Sequence, residues 1–123
     1  MAYLNDRVFD EGLSILDLEA NAVHVTSAEA TTYAEATSTY TLGLSSSLSI
    51  AAPSDRTGGG RKVAVSAISD GDITGTGTVT HYALVDTANS RLLATAALTA
   101  SQSVTNGNTF TLATFDIGIP DPA

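Results

Sequence analysis

The chain has no cysteine and no tryptophan. The first absence excludes disulfides and cysteine-ligated zinc, so stability must come from burial or from association. The second leaves three phenylalanines and four tyrosines as the only aromatics. Ala, Ser, Thr and Gly dominate instead, which makes for a light core. At about 25 cal/mol per Å² of apolar area, an alanine-lined sheet gains little per residue, and contact with a partner or with copies of itself is expected. Basic residues are scarce: five Lys and Arg stand against 13 Asp and Glu, a formal net charge of −8. Gripping a phosphate backbone needs clustered Lys and Arg, so no nucleic acid is expected as a partner. Long hydrophobic runs are missing as well. Asp6, Arg7, Asp10, Glu11, Asp17 and Glu19 interrupt the opening stretch and leave no signal-peptide h-region. No run elsewhere approaches the roughly 20 apolar residues of a membrane span. The expectation is a soluble protein made in the cytoplasm, with no membrane contact.

What is present is β-pattern. The 123 residues, 43% of them hydrophobic, suit one domain with a core. From Ile73 to Val85 the odd positions alternate with Thr74, Thr76, Thr78 and Thr80, which predicts a strand with threonines on one face. Asp86 to Asn89 has turn chemistry, and Arg91 to Leu98 forms the returning strand. Asn106-Gly107-Asn108 is a second turn, followed by a strand from Thr109 to Phe115. Earlier in the chain, Ala22–Ser27 alternates around His24, Ser38–Leu42 is extended, and Val63–Ser69 is a strand that Asp70-Gly71 turns into Ile73. Pro120 and Pro122 end the last strand by Ile119. The predicted fold is mainly β, an antiparallel β-sandwich or jelly-roll-like barrel with one N-terminal α-helix. Its domain organisation is a helical segment at 1–21 and a sandwich at 22–119 with a loop excursion at 44–62.

The helix is predicted over Leu4–Glu19. Leu4, Val8, Phe9, Leu13, Leu16 and Ala20 share a stripe, Asn5 is placed to cap it, and Asn21 to stop it. Such a stripe packs on its own sheet or, through Leu4 and Val8, on a neighbouring subunit. The excursion carries Pro53 and Gly58-Gly59-Gly60, flanked by Arg56, Arg61 and Lys62, which concentrates three of the five bases beside one loop. These are the candidate protein-interface residues, for docking on an acidic surface.

No pattern carries catalytic or cofactor chemistry. Only His24 and His81 are available as imidazoles, each in a predicted strand beside β-forming threonines, so no enzyme is expected. Gly58-Gly59-Gly60 lacks phosphate-loop spacing and precedes a strand rather than a helix. Asp70-Gly71-Asp72 lacks the remaining ligands of a calcium loop. No metal and no cofactor is expected.

Several segments together carry a resemblance: SAEATTYAEATSTYTLG from Ser27, GRKV from Gly60, TGTVTHYALVD from Thr76, NSRLLAT from Asn89 and GNTFTLATFDIGIP from Gly107, with the opening LNDRVFDEGL. The chain resembles a family of small structural proteins of tailed bacteriophages. Ala30 stands where that family often has proline, and Tyr82 where it often has tryptophan. The resemblance implies a non-enzymatic virion protein, a decoration or cement protein on the outside of the head. Its partners would be the major capsid protein and itself, as a homo-oligomer, a trimer. A tail or fibre-attachment protein and a carbohydrate-binding surface module are the alternatives.

Overall fold

The computed structural model describes residues 6–119, with side chains from Asp10 onward. In chain order the elements are α1 (Asp6–Glu19), β1 (Ala22–Thr26), a π-helical turn (Glu35–Thr39), β2 (Thr41–Ser45), β3 (Ser54–Asp55), β4 (Arg61–Val65), β5 (Ile68–Ile73), β6 (Gly77–Asp86), β7 (Arg91–Val104), β8 (Thr109–Leu112) and β9 (Phe115–Ile119). The chain is mainly β, antiparallel throughout, with one N-terminal helix, as the alternating patterns require. It divides into two compact units, one built from α1, 49–67 and 113–119, the other from 20–48 and 68–112.

The first unit holds a three-stranded sheet, β3-β4-β9, with α1 against β4. Val63 and Val65 on β4 are fully buried, and Leu13 and Leu16 on the predicted stripe of α1 are buried, while Leu18 on the helix is exposed. Much of the expected loop excursion is tied to β4. Ala51 N–H donates to Ala64 O at 2.9 Å and Ser66 N–H to Ser49 O at 2.9 Å, so residues 49–51 run alongside the strand. The chain reverses at Arg56–Gly60, where Gly58, Gly59 and Gly60 all take φ between 90° and 105°, conformations that a Cβ disfavours.

The second unit is a six-stranded sheet in the order β7-β6-β1-β2-β5-β8. β1 lies between β6 and β2, and all five of its residues are buried. One face of the sheet carries Val23, Val25, Leu84, Ile73 and Phe110, all buried. The other carries Ala22, Ala83 and Val85, covered by Ala30 and Ala36 with Tyr33, Tyr40 and Leu92 around them. Ala30 and Tyr82 are both buried.

Both predicted turns form, the first closing the β6–β7 hairpin and the second leading from β7 to β8, which do not pair with each other. Asp86 Oδ1 accepts from the N–H groups of Ala88 (3.0 Å) and Asn89 (3.3 Å), and Asp86 Oδ2 accepts from Asn89 Nδ2 at 2.7 Å. Gly107 takes φ 94°, and its N–H donates to Ile73 O at 3.0 Å.

Three local expectations are corrected. Asp70-Gly71 is no turn: both residues lie within β5, and Gly71 is small because the Phe110 ring of β8 covers the place where a Cβ would stand. The strand predicted over Val63–Ser69 breaks at Ser66-Ala67 into β4 and β5, which belong to different sheets. The strand predicted over Thr109–Phe115 breaks at Ala113-Thr114 in the same way, where Thr114 Oγ1 donates to Val65 O at 2.7 Å. α1 ends at Glu19, just before Asn21. The Asn21 N–H donates to Val85 O at 3.0 Å, its Nδ2 to Thr87 Oγ1 at 2.8 Å, and its Oδ1 accepts from Thr87 N–H at 3.1 Å, which clips it to the start of the β6–β7 turn.

Candidate protein-interaction surface

Of the residues singled out for an interface, Leu4 lies outside the described residues. Val8 lies on α1, but its side chain falls outside them too. The three bases come together on the first unit, each engaged within the fold. Arg61 makes a two-pronged contact to Asp10, Nε to Oδ1 at 2.9 Å and Nη2 to Oδ2 at 3.3 Å, and its Nη1 reaches Asp55 Oδ1 at 2.7 Å. Only 17% of the Arg61 side chain is exposed. It therefore fastens α1 and β3 to β4, with the paired geometry that makes guanidinium–carboxylate contacts specific. Lys62 Nζ donates to Asp116 Oδ2 at 2.9 Å across the β4–β9 ladder. Arg56 Nη1 donates to Gly59 O at 3.0 Å and closes its own turn.

Arg56 and Lys62 line an open groove of about 320 Å³ with Thr57, Asp116 and Gly118. Gly118 makes room for it, since a Cβ there would stand 3.0 Å from Arg56 Cδ. Two cations against one carboxylate leave this groove positive, the remnant of the basic site read from the sequence. The groove can accept a carboxylate from another surface at its rim, where such pairs are individually weak, about 0.2–1 kcal/mol.

On the second unit, a cleft of about 250 Å³ is lined by Leu44, Ser45, Ser46, Ser47, Asp70, Asp72 and Thr74. Ser47 Oγ donates to Asp70 Oδ2 at 3.3 Å. Among the described residues no group of three or more His, Asp and Glu side chains is placed to hold a metal ion.

Both histidines are satisfied locally. With the Thr41 hydroxyl donating to Gly43 O at 3.1 Å, its lone pair is left for His24 Nδ1–H at 2.8 Å. Burial holds the His24 imidazole below its ordinary pKa, which favours the neutral ring. His81 Nδ1 lies 2.8 Å from Thr80 Oγ1.

Sequence reasoning missed a second surface feature, the open edges of the six-stranded sheet. β7 stands at one edge and β8 at the other. No residue of the 14 in β7 is fully buried. The signal was present in the sequence: no residue from Leu92 to Phe115 is charged, and this run builds both edges. Native edge strands are usually protected by charge or proline, and beyond Arg91 at the start of β7 these carry neither.

Compared with known protein families, with curated proteins and with solved structures, the chain has no match. The fold and surfaces thus define a class, a small acidic antiparallel β protein with one helix and an uncharged run, Leu92–Phe115, along the edges of its larger sheet.

Proposed function

We propose that the protein is a non-enzymatic virion structural protein, a decoration or cement protein on the outer surface of a tailed-phage head, assembled as a homo-oligomer, a trimer, against the major capsid protein. The observation that carries this reading is the resemblance of the segments quoted above to small phage structural proteins. Each segment builds scaffold: Thr76–Asp86 forms β6, Asn89–Thr95 the last turn and the start of β7, and Gly107–Ile119 runs through β8 and β9. A family signature spread over strands and turns suits a protein whose task is to present a surface.

The basic contact to the shell is narrower than the sequence suggests. Arg61 holds α1 in place, so Arg56 and Lys62 at the groove are the two cations proposed to meet acidic groups of the capsid. The test is occupancy. Quantitative mass spectrometry of purified virions should find the protein in hundreds of copies, whereas about three to twelve would place it in a tail. Changing Arg56 and Lys62 together to Ser should lower capsid occupancy at low salt, by a margin that narrows as salt screens the parent's own contact, with the far-UV circular dichroism of the isolated protein unchanged. Absence from virions would overturn the proposal, and full occupancy by the double variant across the salt series would overturn the contact.

A further inference from the structure

We propose that copies of this chain join edge to edge, with β7 of one six-stranded sheet pairing with β8 of the next, head to tail. Three observations fit one another. First, beyond Arg91 at the start of β7, the two edges lie in the uncharged run Leu92–Phe115 of a chain of net charge −8, so a second copy meets no acidic side chain on the edge strands when it approaches along them. Second, strand direction is compatible. In an antiparallel sheet of six strands the two outermost run in opposite directions, so a copy laid beside another in the same orientation places β8 antiparallel to β7 and continues the alternation unbroken.

Third, register and side-chain size match. The longest regular stretch of the β7–β6 pairing is Ala94–Ala97, opposite Leu84 to His81; a shorter one, Gln102–Val104, lies opposite Val79 to Gly77. The longer stretch is interrupted on one side at Leu93 and on the other by Leu98–Ser101, which bulge between the partners of Val79 and His81. β8 has the same four-residue length, Thr109–Leu112. One row of neighbours crosses the whole sheet, Thr95, Ala83, His24, Leu44, Asp72 and Thr109, so Thr95 and Thr109 project from the same face. Since a one-residue slip would exchange the faces, the full four-on-four overlap that keeps them is Ala94 with Leu112, Thr95 with Thr111, Ala96 with Phe110 and Ala97 with Thr109. Small residues of β7 then face the large residues of β8, and threonine faces threonine. Such an interface uses two different patches, so it closes into a ring when the rotation allows and joins no pair by a twofold. The inference stands on the sheet alone, apart from any role on a capsid.

The chain's lack of cysteine makes the test clean. Ala97→Cys and Thr109→Cys, both at exposed positions, are prepared as separate single variants and as a double variant of the full chain. After oxidation, the two singles mixed together should give a cross-linked pair that neither gives alone, and the double variant should give a closed covalent ring, of three copies in the trimer, released by reductant. Ala97→Glu should raise the dissociation constant roughly tenfold or more in sedimentation, since it places a carboxylate with no partner opposite Thr109 at each joint, with circular dichroism unchanged. Cross-linking of Ala97→Cys with itself would mean a twofold β7 pair and overturn the head-to-tail joint, as would a parent protein that stays monomeric at high concentration or a mixture that fails to cross-link. Capsid occupancy enters none of these readouts, so failure here leaves the decoration reading standing, and absence from virions leaves the joint standing.

Discussion

Gly71→Ala should destabilise the protein through a single contact. Gly71 lies in β5 opposite Phe110 of β8, and the Cδ1, Cε1 and Cζ atoms of the ring occupy the space a methyl group would need. Backbone conformation is not the reason for the glycine, because Gly71 is not among the positive-φ positions. Adding the methyl must push out a ring that is only 5% exposed, and overpacking of this kind costs about 1–3 kcal/mol. For a domain of this size that lowers Tm by about 3–10 °C. Removing the ring with Phe110→Ala costs about 3–5 kcal/mol by itself. The two changes should not add. Once the ring is gone, alanine at position 71 is the better strand residue by about 0.5–1 kcal/mol, so the double variant should be more stable than Phe110→Ala. Urea unfolding followed by circular dichroism and tyrosine fluorescence measures all four proteins. A neutral Gly71→Ala, or a double variant whose loss is the sum of the singles, would refute the steric account.

Two further outcomes follow from side-chain geometry. His24 has its folded pKa pushed below the ordinary 6.5 by burial, so the unfolded chain takes up the proton first. Stability is therefore full above about pH 6.5 and falls as pH drops toward the folded value, by at most about 1.4 kcal/mol per pH unit. Urea midpoints between pH 8 and pH 5 should show this slope in the parent and lose it in His24→Gln, and an unchanged slope would assign it to another group. Loss at still lower pH belongs to Asp86, whose carboxyl is held below its usual range by Asn89 first and then by Ala88 and Arg91, and to Glu35, held below its own by the Thr31 hydroxyl and N–H. For Arg61, the half-covered Asp10 partner matters more than the 91% exposed Asp55. Asp10→Asn should cost about 1–2 kcal/mol and Asp55→Asn less than about 0.5 kcal/mol in thermal unfolding, and equal losses would contradict the assignment.

What could be read from the sequence was local. The turns at Asp86–Asn89 and Asn106–Asn108 form as expected because their chemistry is complete within a few residues: a carboxylate over its own backbone N–H groups in one, and a glycine at φ 94° in the other. The strand beginning at Ala22 and the Leu13 and Leu16 stripe followed from periodicity in the same way. Gly71 looked like a turn because an Asp-Gly pair signals backbone freedom, while its reason lies in a ring at position 110. The bases of the excursion looked available because their partners are distant. Asp10 lies 51 positions before Arg61, and Asp116 lies 54 positions after Lys62. Breaks at Ser66-Ala67 and Ala113-Thr114, where the chain leaves one sheet for the other, carry no glycine or proline and gave no local sign.

The scarcity of charge and of bulk along β7 has one physical consequence that joins fold to assembly. A four-residue antiparallel joint forms only a few backbone hydrogen bonds, each with a net contribution of about 0.5–1.5 kcal/mol, against an association cost of about 4–15 kcal/mol. The joint alone is thus weak, and the small residues Ala94 to Ala97 add little apolar area to it. Closing a ring changes the balance, because the last joint forms within one assembly and carries no further association cost. A surface that holds neighbouring copies in place would act in the same direction, by raising the effective concentration of each edge at the next. The protein proposed here would accordingly be loosely associated in dilute solution and firmly associated in an array. Edges free of acidic side chains then serve the array, and the molecule's net charge of −8 keeps unassembled copies apart.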